Sequence, residues 1–168
     1  KAFDSSKVID GHMYVCESED YELYVKPSNL SILLRDKKTG TLLRSTLEDE
    51  EAYVRSSQTP AFNRITSGVT IMPIKYDPES ESRSGMYDKT NSQASSRDAE
   101  ITYDKTTNGF TAHLNFNNKQ NDVSLKGLNI QFDVVVTLDD MGLHVSIPDD
   151  TIKENLEDGK LGYMMGDV

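Results

Sequence analysis

Leu128-Asn129-Ile130-Gln131-Phe132-Asp133-Val134-Val135-Val136-Thr137-Leu138 is the stretch that decides the fold, followed by Asp139-Asp140-Met141-Gly142 and the return Leu143 to Ile147. Leu128, Ile130, Phe132, Val134, Val136 and Leu138 share one phase of a two-residue period, and Asn129, Gln131, Asp133 and Thr137 share the other. Successive side chains of a strand point to opposite faces, so this alternation predicts a strand with one buried face. Val134 and Val136 are expected in the core. The acidic residue before and the glycine at the end of Asp139–Gly142 predict a tight reversal into an antiparallel partner.

Working outward, Tyr21, Leu23 and Val25 alternate with Glu22, Tyr24 and Lys26, which predicts another half-buried strand. Leu30, Ile32 and Leu34 follow in the same period. Asp36-Lys37-Lys38-Thr39-Gly40 then turns the chain into Thr41 to Thr46, with Gly40 supplying the left-handed residue. A third hairpin is predicted from Ala99 to Asp104 and Phe110 to Phe116, around Asn108-Gly109. Phe110, Ala112, Leu114 and Phe116 are expected to face inward. Val69 to Tyr76 reads as a strand whose Pro73 cannot donate to a ladder, so it belongs at a sheet edge or a bulge. The three turns share chemistry at irregular spacing, so no internal repeat is read.

Between these strands, Asp77 to Asp98 is polar apart from Met86 and Tyr87, and is expected to be a long loop or insertion with little part in the core. Leu47 to Gln58 is acidic and could form a helical turn. Asp149-Asp150-Thr151 with Ile152 and Leu156 one turn apart predicts a short capped helix ending near Gly159. The expectation is an all-β chain, an antiparallel β-sandwich of supersandwich type with long polar loops and at most short helices. Residues 1–168 are expected to be one such domain, a piece of a larger protein.

Composition narrows the function classes. A formal net charge of −10 argues against nucleic acid as a partner, because phosphate affinity comes from clustered Lys and Arg that release counterions. No stretch approaches the ~20 apolar residues of a membrane-spanning helix, so no membrane insertion is expected. Lys1 opens a polar segment without the apolar core of a signal peptide, and a leader already removed stays open. The single cysteine, Cys16, has no internal disulfide partner, which leaves the redox compartment open.

The candidate chemistry is sparse. With 28 carboxylates, pairs at plausible spacing arise by chance. Glu48 to Glu51, Glu79, Glu81, Asp139 and Asp140 could supply a glycosidase acid/base pair, but a solvated surface is the economical reading. His113 and His144 fall on the polar phase of their strands. With His12 they would need to converge with a carboxylate to hold a metal, and solvent-facing histidine is preferred. His12 and Cys16 sit four residues apart, roughly 13 Å along an extended strand, too far for a nucleophile and its base. No nucleophile elbow, phosphate loop or HExxH pattern occurs, and Asp36 to Gly40 reads as a turn before a cation loop; calcium held by converging loop carboxylates is a minority alternative. Tyr14, Tyr24, Tyr53, Tyr76, Tyr87 and Tyr163 could offer sugar platforms, against the plainer reading of strand formers with one wet end. No catalytic residue, cofactor or metal ligand is assigned.

Three segments in this order carry a resemblance: Leu23-Tyr24-Val25 with Ile32-Leu33-Leu34-Arg35-Asp36-Lys37-Lys38-Thr39-Gly40; Gly109-Phe110-Thr111-Ala112; and Leu138 to Pro148 with Ile152 and Glu154 after it. Together they resemble the N-terminal sandwich of large, mostly uncharacterised Firmicute cell-surface proteins that are glycoside-hydrolase-like, in which a galactose-mutarotase-like supersandwich precedes a (β/α)8 barrel. The resemblance implies an extracellular or cell-surface setting and catalytic carboxylates in a following barrel. It implies an accessory role for this chain, packing against that neighbouring domain of the same polypeptide or shaping its substrate cleft. An independent carbohydrate-binding module and a structural or adhesive spacer are the alternatives. On this reading the polar face with Asn129, Gln131, Asp133, His144 and Ser146 is where the neighbouring domain would lie.

Overall fold

In the computed structural model, which describes residues 3–48, 51, 53, 59–79, 87–89, 93–157 and 159–168, the period-2 segments form three antiparallel sheets. The first takes β1 (Asp4–Ile9), β2 (His12–Glu17), β3 (Tyr21–Lys26), β4 (Ser31–Asp36) and β5 (Leu42–Arg44) in sequence order. Helix α1 (Thr59–Ile65) leads to β6 (Thr70–Tyr76), and the short β7 (Tyr87–Lys89) and β8 (Ala94–Ser95) follow. Next come β9 (Glu100–Thr106), β10 (Gly109–Phe116), β11 (Ile130–Asp139) and β12 (Gly142–Ser146), then β13 (Gly162–Asp167). The second sheet has the order β12-β11-β10-β9, and the third β13-β6-β7 with β8 also on β6. Leu23, Val25 and Ile32 of the first sheet share one buried cluster with Phe110, Leu114, Phe132 and Val134 of the second. The fold is an all-β sandwich.

The ladder between β10 and β11 organises this core. Eight consecutive pairs run from Gly109 opposite Thr137 to Phe116 opposite Ile130. Phe110, Ala112, Leu114 and Phe116 point inward beside Phe132, Val134, Val136 and Leu138, all buried. Phe116 and Phe132 stack with centroids 5.6 Å apart, and Phe3 packs edge-on against Phe110 at 5.5 Å and Tyr103 at 5.2 Å. Gly109 marks the predicted hairpin for a reason other than turn conformation. The loop residues are Thr107 and Asn108, and neither Asn108 nor Gly109 has a positive φ. A Cβ on Gly109 would lie 1.9 Å from the Val136 carbonyl oxygen, so the glycine is needed for the close approach of β11. The Asp36–Gly40 turn does use a left-handed glycine, with Gly40 at φ 75°.

Several expectations are corrected. Strand β3 is buried on both faces, because Glu22 and Tyr24 are enclosed as fully as Leu23 and Val25. Strand β6 is interior to its sheet, which removes the edge placement of Pro73. The bulge placement holds: β13 shifts register between Met164 and Asp167, opposite Met72 to Ile74, and β7 and β8 pair with β6 on either side of Pro73. The Asp77–Asp98 segment is not all loop. Ala94, Ser95 and Ser96 are buried, and Tyr87–Lys89 pairs with Ile74–Tyr76; residues 80–86, including Glu81 and Met86, and 90–92 lie outside the described residues.

The predicted helix after Asp149 is a single 3-10 turn, Asp149–Thr151. Ile152 is extended, and Lys153 bridges Gln131, exchanging backbone hydrogen bonds of 2.8 and 2.9 Å. The cause is the short β12, which pairs only Val135 to Asp139 and leaves the Gln131 backbone to be satisfied by the returning chain. Of the acidic segment Leu47 to Gln58, residues 51 and 53 are helical, while 49, 50, 52 and 54–58 lie outside the described residues. The seven-residue α1 was not anticipated, although Thr59-Pro60 is a helix-start signature.

Val134 and Val136 are 1% and 0% exposed, on the core face as expected. Truncating either to Ala should cost about 1 to 3 kcal/mol, through lost transfer energy plus the cavity left behind. Urea unfolding of V134A, V136A and the outward-facing V135A checks this; equal costs at all three would mean that the faces are not separated as described.

Candidate functional site

The same alternation that fills the core leaves an ordered row of polar side chains on the outer face of β9, β10 and β11. His113 lies opposite Thr102 on β9 and Asp133 on β11, and Asn115 opposite Glu100 and Gln131. The Asp150, Thr151 and Lys153 stretch, drawn in by the Gln131 bridge, forms a wall. The result is an open groove of about 540 Å³ lined by these residues, with Leu114 and Phe132 in its floor.

His113 is clamped between two strands. Its Nδ1 lies 2.7 Å from Asp133 Oδ1 and its Nε2 3.1 Å from Asp104 Oδ2. The bonds to Asp133 and then Asp104 raise its pKa above the ordinary histidine value and outweigh desolvation, favouring the imidazolium that donates both. Neither nitrogen is left to activate a nucleophile. The Thr151 hydroxyl is committed as well, donating to the Pro148 carbonyl at 2.7 Å and accepting from the Asp133 amide at 3.1 Å. Asn115 turns its Nδ2 toward Glu100 Oε2 at 3.5 Å, and its Oδ1 is buried without a hydrogen bond. The arrangement can bind polar groups and hold charge; it does not assemble a nucleophile, base and oxyanion hole.

The other predicted candidates are scattered. His144 is exposed, with Nε2 3.2 Å from Asp139 Oδ1, and does not join His113. His12 departs from the solvent-facing expectation: it is 1% exposed, with Nδ1 3.0 Å from the Asp10 carbonyl and Nε2 2.9 Å from Ser31 Oγ, and burial lowers its pKa. Cys16 is buried and burial raises its thiol pKa. Asp139 and Asp140 are exposed, as are Glu51 and Glu79, while Glu48 is half-buried beside Lys26 and Arg44. Asp49, Glu50 and Glu81 lie outside the described residues. Tyr24, Tyr76 and Tyr163 are buried, so they offer no sugar platform; Tyr14 is half-buried, Tyr53 is 74% exposed, and nothing is described of the Tyr87 side chain. Among the described residues no three His, Cys, Asp or Glu side chains converge to hold a metal ion.

No protein-family model matches the chain, and no curated protein or solved structure matches it at a significant level.

Sequence reading passed over Glu22 on the opposite sheet, a carboxylate held well below its ordinary pKa. It sits on the outer face of β3 and is 6% exposed. Lys7 Nζ is 2.6 Å from Oε1, and Arg35 Nη1 and the Tyr24 hydroxyl are 3.0 and 2.9 Å from Oε2. The Lys7 ammonium also lies 4.1 Å from the Tyr14 ring centroid. Burial is the largest single influence and pushes the carboxyl pKa upward, but the three donors together outweigh it and hold the value at about 2. Arg35 stands directly opposite Glu22 in the β3–β4 ladder, a pairing outside the predicted hairpin, which joined β4 to β5.

These two sites predict opposite pH limbs. A carboxyl lowered from 4.5 to about 2 contributes stability that is present above 4.5 and is lost as pH falls through 2, about 3 kcal/mol at full extent. E22Q should be less stable at pH 6 and lose that acid limb, read by urea unfolding from pH 6 to 2; an unchanged acid slope would refute it. His113, raised, contributes below the ordinary histidine pKa and loses it as pH climbs through the raised value. Because the pair is partly exposed the effect should be about 0.5 kcal/mol or less, read as a flatter pH 6 to 9 profile in H113Q.

Proposed function

We propose that the chain is a non-catalytic accessory β-sandwich of an extracellular polysaccharide-processing or surface protein, packing against a neighbouring catalytic domain or shaping its substrate cleft. The observation that carries this reading is the outer groove: its one histidine is committed to two aspartates, its threonine hydroxyl to backbone, and its remaining groups are suited to binding. The likeness of the three hairpin segments to the N-terminal supersandwich of glycoside-hydrolase-like surface proteins supports the setting. In those proteins the catalytic carboxylates belong to a barrel, and the groove here would face it.

An independent carbohydrate-binding module is the second reading, favoured by the density of carboxylate and carboxamide side chains in the groove, which suit sugar hydroxyls. Tyr24, Tyr76 and Tyr163 are enclosed and lend it no support.

The isolated chain should fold cooperatively and release no product from chromogenic glycosides or soluble polysaccharides. Turnover that disappears in H113A or D133N would overturn the accessory reading.

A further inference from the structure

We propose that β1 is an exchangeable strand: its seat along β2 accepts the β1 of a second copy of this chain, so that two molecules dimerise by trading Phe3 to Ile9. The backbone holds β1 lightly. Its ladder with β2 has three pairs, Asp4 with Tyr14, Val8 with Met13 and Ile9 with His12, and the register breaks between the first and the second. Asp4 to Val8 are exposed, and the Ser6 amide and hydroxyl turn back to Asp4 Oδ1 at 2.8 and 2.7 Å.

Side chains anchor the strand instead. Phe3 is 6% exposed and packs edge-on against Tyr103 and Phe110 of the second sheet. Four residues on, Lys7 Nζ reaches Glu22 Oε1 at 2.6 Å and lies 4.1 Å from the Tyr14 ring centroid. The seat is an aromatic socket and a buried carboxylate at a fixed spacing along the β2 edge, and the segment that fits it is this chain's own Phe3 to Lys7. Each of these contacts is the same whether the strand comes from the same molecule or from a second, which is what makes strand exchange a low-cost route to a dimer.

Only the link differs between the two states. Asp10 and Gly11 join β1 to β2 in a two-residue turn with φ of 47° and 76°, the left-handed pair that an Asp-Gly hairpin tolerates. Straightened, they carry β1 away from its own β2 and onto another molecule's; short hinges under strain invite this. Straightening gives up the Asp10 carboxylate pair with Arg44 and the Asp10 carbonyl contact with His12 Nδ1 at 3.0 Å, while Arg44 keeps Glu48 at 3.5 Å. It relieves the left-handed backbone at Asp10. The closed monomer thus rests on Gly11. A Cβ there would meet only the Lys26 side chain, at 3.5 Å, so a larger residue fits by volume and is strained by φ.

G11V tests this, because valine favours the extended hinge. The whole chain also carries V8C, M13C and C16S, so that a disulfide between the facing positions 8 and 13 reports which molecule supplies the strand. By light scattering of the reduced proteins, the chain with Gly11 should be a monomer at about 10 μM, and G11V should dimerise with a dissociation constant at least about tenfold lower. Oxidised, the G11V dimer should run as a covalent dimer on a non-reducing gel. F3A should speed interconversion about tenfold and leave the dissociation constant within about twofold, since Phe3 makes the same contacts in both states. Gly-Ser-Gly inserted after Asp10 should return G11V to the monomer. A folded G11V that stays monomeric at about 1 mM would overturn the exchange. A dimer whose disulfides stay within each chain would overturn it too, because the molecules would then meet through another face. Should G11V not fold, the chain with Gly11 and the cysteine pair is carried reduced, at about 1 mM, through its urea transition and back and then oxidised. A covalent dimer fraction is expected there, and its absence would overturn the exchange equally.

Discussion

The register of β10 against β11 is the constraint on which both the core and the groove depend. Side chains alternate with period two, so a slip of one residue would send His113 and Asn115 inward and bring Leu114 and Phe116 to the surface. The contact between Gly109 and the Val136 carbonyl helps to forbid that slip, since almost any other residue at 109 would collide there. The hydrophobic pattern and the glycine act together: one makes the slipped state costly by exposing aromatic rings, the other makes the native register sterically reachable. Fixing Val134 and Val136 in the interior places Asp133 outside, within reach of His113 on the next strand. The polar site is the reverse side of the packing solution.

The sheet built around this ladder was legible because its strands alternate cleanly and their turns carry acidic and glycine punctuation. Leu128 to Ile147 and Phe110 to Phe116 needed no knowledge of distant contacts. Where the reading failed, the deciding interaction was non-local. Asp149 to Leu156 has local helical spacing, yet the unpaired Gln131 backbone draws Lys153 into an extended bridge, and two long-range hydrogen bonds outweigh a short helix with a costly nucleus. Ala94 to Ser96 looks like loop by composition, but β6 supplies a partner and Ser96 Oγ donates to the Asn29 carbonyl at 2.6 Å, which makes small polar residues acceptable in the interior.

The candidate site was legible only in part, for a related reason. The polar phase holding Gln131, Asp133 and His113 was visible, but strand order is not written in any single strand, so the bridging of His113 to both Asp104 and Asp133 could not be read from one. Asp104 stands opposite Thr111, two pairs along from the histidine on the same face, and reaches it diagonally. Glu22 was hidden by a different rule. A carboxylate on the polar phase of a strand is ordinarily solvated, and nothing local reveals that Lys7, two strands away, folds across it onto Tyr14.

The two outer faces of the sandwich consequently end in different states. On the first sheet, Glu22 lies under Lys7 and Arg35, Tyr14 packs edge-on against Tyr24, and Leu33 opposite Tyr24 is fully buried, so long side chains of the sheet itself seal much of that face. Its charges balance locally, because two cations enclose one carboxylate whose desolvation they offset. On the second sheet several outward residues are short, among them Thr102, Thr111, Asn115 and Thr137, and a groove is left open over the strands beneath them. His113 in its centre ties β9 to β11 across β10 without roofing the surface. Side chains on this face are held in position by cross-strand hydrogen bonds and walled by the Asp150 to Lys153 return. Preorganisation of that kind lowers the ordering cost of any association, whereas the first sheet's face is largely closed by its own side chains.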